Sequence, residues 1–114
     1  MQQLAVIAVA IMLAIALAIF GVHILQAPSD PYIKSVLSLT GNPAQGHAIF
    51  QMNCAGCHGW QADGNVGPSL QGVSKRKSHY GLIHQVISGE TPPMPQFQPS
   101  LQEMADLLSY LETL

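Results

Sequence analysis

Charged side chains are scarce in this chain of 114 residues, which has four Lys and Arg and six Asp and Glu. None of them lies in residues 4–25, and all of them fall between Asp30 and Glu112. A protein with so few cations cannot neutralise many phosphates, which argues against nucleic acid as a partner. The chain therefore divides into an apolar N-terminal segment and a polar domain of about 85 residues, whose hydrophobic core alone gives marginal stability.

The apolar segment is long enough to cross a membrane. As a helix, its 22 residues extend over ~33 Å, whereas the hydrocarbon core of a bilayer is ~30 Å thick. A cleaved signal peptide is the alternative, but its apolar region has only ~7–15 residues, follows a basic n-region and ends at a small-x-small site. Here the segment follows Met-Gln-Gln and ends at Leu25-Gln26-Ala27. Residues 1–25 are therefore predicted to be a single uncleaved transmembrane anchor.

The anchor is followed by a predicted linker and then by the first helix of the domain. Residues 26–41 are rich in Pro, Ser and Thr, which indicates a linker with a short turn of structure within residues 32–39. Asn42 is a suitable N-cap, with Pro at the first helical position and Gln45 in capping-box spacing. These residues predict a helix from Pro43 to about Asn53.

Two further helices are indicated by their caps. Ser78 precedes an apolar run that stops at Gly89, which predicts a short helix. Ser100 and Glu103 form a capping box that opens a helix over residues 101–114, where apolar side chains recur every three or four positions. No alternating strand pattern competes with these signals, so residues 42–114 are predicted to form an all-α domain.

Both cysteines lie in one pentapeptide, Cys54-Ala55-Gly56-Cys57-His58. This spacing lets two thiols add to the vinyl groups of one haem while the adjacent imidazole reaches its iron. A thioredoxin-like motif would need a βαβ context, and a disulfide of such short span would stabilise little. Zinc would need four ligands, which His47 and His58 could complete together with the thiolates. The motif favours one covalent haem c, and the haem would also enlarge the thin core.

A second axial ligand to the iron must come from elsewhere in the chain. Met94 is favoured because it lies in residues 91–99, where four prolines hold the backbone with little entropy left to lose. Met104 recurs with the apolar face of the last helix, which indicates packing. His79 and His84 remain alternatives for bis-histidine ligation.

The motifs CAGCH, GPSL and PPMPQF occur in this order, and with them residues 42–114 resemble the class I c-type cytochromes. The resemblance implies the small class I fold around one haem, here preceded by a transmembrane helix. It also implies that the carbonyl of Pro68, in the Gly67-Pro68 pair, accepts the imidazole N–H of His58. Such a bond orients the imidazole and strengthens it as a donor to the metal.

The resemblance also identifies a crossing of the first and last helices of the domain. In this family a small residue and an aromatic residue meet at that crossing, and Gly46, Phe50 and Tyr110 occupy the matching positions. A glycine inside a helix otherwise costs about 1 kcal/mol relative to alanine. The close crossing therefore explains why Gly46 is present.

Within the class, the anchor and the segments DPYIKSVLSLTGN and KRKSHY are most similar to the cytochrome M group of cyanobacteria. This similarity implies an anchor in the thylakoid or plasma membrane. Partners would be a cytochrome bf complex, a photosystem or a terminal oxidase. Haem attachment of the c type takes place outside the cytoplasm, so the domain is expected in the lumen or periplasm, although Lys34 weakly favours the opposite orientation.

The function predicted from these residues is one-electron transfer by a haem with His58 and Met94 as axial ligands, without enzyme activity. A small haem peroxidase is a rival, but it needs an open iron site, against which Met94 argues. A redox-sensing or regulatory subunit of a membrane complex is a second rival. The cluster Lys75-Arg76-Lys77, called here the basic segment, is either a solvated loop or a surface that steers an acidic partner.

Overall fold

The computed structural model of the protein describes residues 1–25 and 30–114. These residues form helices and contain no strand, which confirms the predicted all-α fold. The helices are α1 (Gln2–Leu25), α2 (Pro31–Leu37), α3 (Pro43–Asn53), α4 (Ala55–His58), α5 (Val73–Arg76), α6 (His79–Ser88) and α7 (Leu101–Leu111).

Helix α1 contains the whole apolar segment, and by length and composition it can cross a membrane. None of its residues is buried against other described parts of the chain. A core helix of a soluble domain would instead bury an apolar stripe. The two readings left for α1 are those of the sequence analysis, an anchor and a signal peptide.

Helix α2 corrects the predicted linker. Residues 26–29 of that linker lie outside the described residues, but Asp30 caps a helix, because its carboxylate accepts the N–H of Tyr32 at 2.8 Å. Ile33 and Val36 are 0% and 1% exposed, so they belong to the core. Two apolar side chains three positions apart lie on one face of a helix. A helix of seven residues is too short for this spacing to repeat, so the sequence pattern did not predict it. The second half of the predicted linker is therefore part of the domain.

Helices α3 and α7 cross at very short distance, as the family resemblance implied. A Cβ added to Gly46 would overlap the main-chain carbonyl of Asp106 and lie 2.8 Å from the Cβ of Tyr110. Phe50 is fully buried beside this point, and its ring centroid lies 5.2 Å from that of Tyr110. Only a residue without a side chain allows the two backbones to approach in this way.

The N-terminus of α3 is capped differently from the prediction. Asn42 Oδ1 accepts the N–H groups of Ala44 and Gln45, as expected for an N-cap. The N–H of Asn42, however, donates to Asp106 Oδ1 at 2.8 Å, where the predicted capping box would have given it to the side chain of Gln45. Asp106 is 7% exposed and also accepts Gln102 Nε2. A carboxylate of α7 therefore replaces the local cap and joins the two helices.

Helices α6 and α7 begin as predicted. Ser78 Oγ accepts the N–H of Gly81 at 3.1 Å, and α6 ends at Ser88. At α7 the Ser100 N–H donates to Glu103 Oε2 at 2.9 Å, and Ser100 Oγ accepts the Glu103 N–H at 3.3 Å. Both predicted caps are confirmed.

The capping box of α7 makes stability depend on pH. Hydrogen bonds from Ser100 hold the pKa of Glu103 below its ordinary value of 4.5. The carboxylate therefore stabilises the folded state above that value, and the contribution is lost as the pH falls through the lower pKa of the folded state. We expect Glu103→Ala to unfold at a lower temperature than the parent near neutral pH and at a similar temperature in acid.

Thermal unfolding of the full-length holoprotein in detergent, followed by circular dichroism, measures this difference. Glu90→Ala is the matched control, since it removes an exposed carboxylate outside any capping box. A deficit for Glu103→Ala of equal size in acid and at neutral pH would show that the carboxylate charge is not what stabilises the cap.

Candidate haem site

The pentapeptide of the sequence motif forms one helical turn directly after α3. The Cys54 N–H donates to Phe50 O at 2.8 Å, which ends α3, and the His58 N–H donates to Cys54 O at 3.0 Å, which closes α4. Cys54, Cys57 and His58 are at positions i, i+3 and i+4. Residues three and four positions apart are neighbours on a helix surface, so Cys57 and His58 each lie ~5–6 Å from Cys54. A single turn therefore brings both thiols and the imidazole close together.

The imidazole of His58 is held by the carbonyl of Pro68, as the resemblance implied. His58 is 9% exposed, and its Nδ1 lies 2.8 Å from Pro68 O. A carbonyl oxygen can only accept, so Nδ1 carries the proton and the lone pair of Nε2 faces away from this bond. Nε2 is thereby left as the donor atom for a metal.

Gly67 lets the backbone pass directly beside the imidazole. A Cβ at Gly67 would lie 2.8 Å from Cε1 and 2.9 Å from Nδ1 of His58, so any side chain would push the ring or the loop away. The Gly67 N–H donates to Cys57 O at 2.7 Å, and the Gly64 N–H donates to His58 O at 2.7 Å. The loop after the motif is therefore fastened to the motif itself.

The two cysteines differ in their surroundings. Cys54 is partly buried and Cys57 is exposed, and both are free thiols. Burial, together with the neighbouring Cys57, raises the pKa of the Cys54 thiol to about 11, so that it is neutral at physiological pH. Addition of a thiol to a vinyl group forms a carbon–sulfur bond and transfers the thiol hydrogen to carbon, so it requires no external oxidant. Two free thiols beside a metal-binding imidazole fit a covalently attached haem.

The segment 91–99 is held in place at its first residue, at Phe97 and at its last residue. Met94 is half-buried within it, and its N–H donates to Thr91 O at 3.1 Å. This is the fixed loop that the prolines predicted, although coordination of iron by Met94 remains a prediction. The three fastening bonds run from Gln85 Nε2 to Thr91 Oγ1 (2.5 Å), from Phe97 N to Val86 O (3.0 Å) and from Tyr32 Oη to Pro99 O (2.8 Å).

The alternative ligands each have other partners. Met104 is 1% exposed and belongs to the core. His79 Nε2 lies 2.7 Å from a carboxylate oxygen of Glu112, and His84 Nε2 lies 3.3 Å from one of Glu90. These pairs lie at the surface, where the imidazoles interact with carboxylates.

The zinc alternative finds no support in the described ranges 1–25 and 30–114. Within them no three His, Cys, Asp or Glu side chains come together in a way that could hold a metal ion. His47, the proposed additional zinc ligand, lies 3.0 Å from Gln51 Nε2, and its ring is tilted against that of Tyr110. Its ring packs against Tyr110 where α3 crosses α7.

The basic segment lies beside the loop that carries Pro68. Lys75 and Arg76 are on α5 and Lys77 follows it, and all three are exposed. The guanidinium of Arg76 donates to the carbonyls of Gln71 and Ser69. Arg76 is therefore partly structural, whereas the two lysines are available to a partner.

Two structural residues of the site region were missed by the sequence analysis. Tyr32 holds the end of the Met94 segment, and Asp106 joins α7 to α3. A signal for the first exists, because Asp30-Pro31 repeats the Asn42-Pro43 pattern of N-cap and first helical position. No local signal marks Asp106, since its partner Asn42 is 64 residues away in the chain.

Comparison with known proteins places the chain among the c-type cytochromes. The family described as cytochrome c oxidase, cbb3-type, subunit III matches residues 41–111. A cytochrome c-553-like protein of Synechocystis is 66% identical over 85 residues, which are 75% of this chain and 81% of that protein. The resemblance predicted from the sequence, to c-type cytochromes and to those of cyanobacteria, is thereby confirmed.

A solved structure shows the same relationship. Cytochrome cL from Hyphomicrobium denitrificans is similar to this chain with a TM-score of 0.54 and 26% sequence identity. The match covers 75% of this chain and 52% of cytochrome cL, so the chain spans about half the length of that protein. The two named relatives are cytochromes c, in agreement with the prediction that this chain is not an enzyme. The chain belongs to the cytochrome c family and carries covalently bound haem c.

Proposed function

We propose that the protein is a membrane-anchored one-electron carrier whose haem iron has His58 Nε2 and Met94 Sδ as axial ligands. The observation that carries the proposal is the 2.8 Å contact between His58 Nδ1 and Pro68 O, because it fixes the tautomer in which Nε2 can bind a metal. The cofactor is haem c because the chain belongs to the cytochrome c family.

The haem supplies the one-electron redox couple, and the protein holds the two proposed iron ligands in fixed positions. His58 is held by Pro68 and packed against Gly67, and Met94 lies in a segment fastened at three points. A pair of ligands held in this way leaves little to rearrange when the charge on the metal changes. Visible spectra of the holoprotein test this: a reduced α band of c type, and the weak red-region band of a ferric haem with thioether ligation, are expected.

The membrane setting is part of the proposal. Helix α1 is retained as an anchor in the thylakoid or plasma membrane, and the haem domain lies in the lumen or periplasm. The partners are redox proteins, such as a cytochrome bf complex, a photosystem or a terminal oxidase. The relative from Synechocystis supports such a setting.

We expect the native protein to retain its N-terminal segment, because the apolar run is longer than that of a signal peptide. The run also ends at Leu25, where a cleavage site would need a small residue. The intact mass of the protein purified from its own membranes, with one haem added to the polypeptide, measures this directly. A mature N-terminus near Ala27 would contradict the anchor.

A second candidate function is suggested by the family that matches residues 41–111, since its description names a subunit of an oxidase. In that case the same haem would pass electrons inside a membrane complex. Gentle detergent extraction followed by native size separation distinguishes the two. A free carrier migrates as a small particle, whereas a subunit co-migrates with a complex of several chains.

The basic segment is proposed to steer an acidic partner toward the haem. Charges at the rim of an interface change the association rate and its salt dependence more than the chemistry of the site. We expect Lys75→Gln combined with Lys77→Gln to slow electron transfer with an acidic soluble redox protein at low ionic strength, and to leave the midpoint potential nearly unchanged. Rates measured by stopped flow should converge with those of the parent near 1 M salt, where the Debye length is ~3 Å.

Lys34→Gln is the control, because it removes an exposed positive charge on α2 instead of on the basic segment. Its rates should follow those of the parent at all salt concentrations. If the double variant were slower by the same factor at low and high salt, the two lysines would be acting through short-range contacts or through the fold, and not by steering.

A further inference from the structure

The connection between α1 and the haem domain is much shorter than the sequence suggested. Helix α1 ends at Leu25, and Asp30 already belongs to the domain. The side chain of Asp30 accepts the N–H of Tyr32 at 2.8 Å, and its carbonyl accepts the N–H of Lys34 at 3.0 Å. At most four residues, 26–29, therefore lie between α1 and the folded domain, in place of the predicted sixteen of 26–41.

Helix α2 cannot easily detach to lengthen this connection. Ile33 and Val36 are buried in the core at 0% and 1% exposure, so detachment would transfer both to water. Tyr32 would also lose its hydrogen bond to Pro99, and burial raises the pKa of Tyr32, so that its hydroxyl keeps the proton that it donates. The connection is therefore limited to the residues before Asp30.

The covalent geometry of the chain sets how far the domain can move. Five steps from Leu25 to Asp30 cover at most ~18 Å even when fully extended. A domain of this size has a diameter of ~30 Å, so its farthest surface stays within ~50 Å of the end of α1. The sixteen-residue linker predicted from the sequence would by itself have allowed ~61 Å.

We propose that this short connection confines the protein to the surface of its own membrane. It exchanges electrons with redox centres that membrane-embedded partners expose within ~50 Å of the same bilayer, and it does not carry electrons across to a facing membrane. This inference rests on the proposed function, since it takes α1 as a retained anchor.

Contacts within the domain place the start of α7 near the residues at which the connection enters. Tyr32 binds Pro99, so the start of α7 lies beside the attachment point. Helix α7 has 11 residues and is ~16 Å long, and Glu112 at its far end contacts His79. Only Ser78 separates the basic segment from that histidine, so the segment lies close in the chain to the residue that contacts the end of α7.

The reach of the domain can be measured in reconstituted vesicles. The full-length holoprotein is inserted into phosphatidylcholine vesicles that contain a trace of fluorescent headgroup-labelled lipid, from which the haem accepts excitation energy. An extended variant carries about 24 Gly and Ser residues between Ala27 and Pro28, which span ~27 Å on average. A control variant carries the same residues after Leu114. We expect weaker energy transfer in the extended variant and no change in the control.

A bilayer supported above a gold electrode tests the electron exchange itself. Inert spacers set the width of the aqueous gap between the bilayer and the electrode. Current from the parent should vanish when the gap exceeds ~50 Å. The extended variant should still deliver current across wider gaps, and the control variant should behave as the parent does.

The outcomes separate this inference from the proposed function. Flotation with the vesicles after a carbonate wash is measured first, and failure of the parent to float would overturn the anchor and with it the proposed function. If all three chains float but the extended variant shows the same energy transfer and the same gap dependence as the parent, the anchor stands and the confinement is wrong.

Discussion

Replacing Met94 by His should lower the midpoint potential of the haem while leaving the haem attached. Attachment depends on Cys54 and Cys57, which the substitution does not touch. A thioether favours ferrous iron more than an imidazole does, and axial ligands set haem potentials over a range of about 0.8 V. We therefore expect a decrease on the order of 100 mV or more, together with loss of the red-region band of the ferric form. Spectroelectrochemical titration of the full-length holoprotein measures both.

Met104→Leu is the matched control for the ligand. Met104 is 1% exposed in the core, and exchange of Met for Leu nearly conserves its volume, which usually costs less than about 1.5 kcal/mol. Its spectrum and potential should stay those of the parent. If Met94→His instead left both unchanged, Met94 would not be a ligand, and His79 or His84 would have to be tested in the same way.

Replacing Gly46 by Ala should have the largest effect on stability. The added Cβ would overlap the main-chain carbonyl of Asp106, and a backbone cannot move aside as the end of a flexible side chain can. Helices α3 and α7 would have to separate, which would loosen the packing around Phe50. Overpacking of a core typically costs 1–3 kcal/mol, and we expect about 3 kcal/mol here. For a domain of this size the unfolding temperature should fall by about 12–24 °C.

Gly56→Ala provides the comparison within the same domain. A Cβ at Gly56 would meet no other atom of the polypeptide within 4 Å, so the substitution should leave the unfolding temperature unchanged or raise it slightly, as Gly to Ala does in an open helix. Thermal unfolding of both holoprotein variants, followed by circular dichroism, gives the result. Equal unfolding temperatures for the two variants would show that the crossing tolerates a methyl group.

Much of the fold was predictable because its signals are local. Each of the three N-caps, Asn42, Ser78 and Ser100, binds a backbone N–H two or three residues further along the chain. Such contacts form whenever the helix forms and need no tertiary partner, so they can be read from short stretches of sequence. The haem motif is equally local, since Cys54 and His58 are four positions apart in one helical turn.

Other features could not be derived from local patterns. The sequence predicted that Gln45 would cap the N–H of Asn42, but a carboxylate of α7 takes that place after the helices pack. The sequence also treated residues 26–41 as a linker, although residues 31–37 form a helix of the domain. In both cases the deciding contact joins residues more than sixty positions apart.

The amino-acid sequence by itself determined that the domain is helical, where most helices begin, and that Cys54, Cys57 and His58 lie on one turn suited to covalent haem. These properties depend on side chains close together in the chain. Only the tertiary structure decided that α2 belongs to the core and that at most four residues lie between it with its cap and α1. The reason is physical, because Ile33 and Val36 gain from burial only when α6 and α7 are in place to cover them.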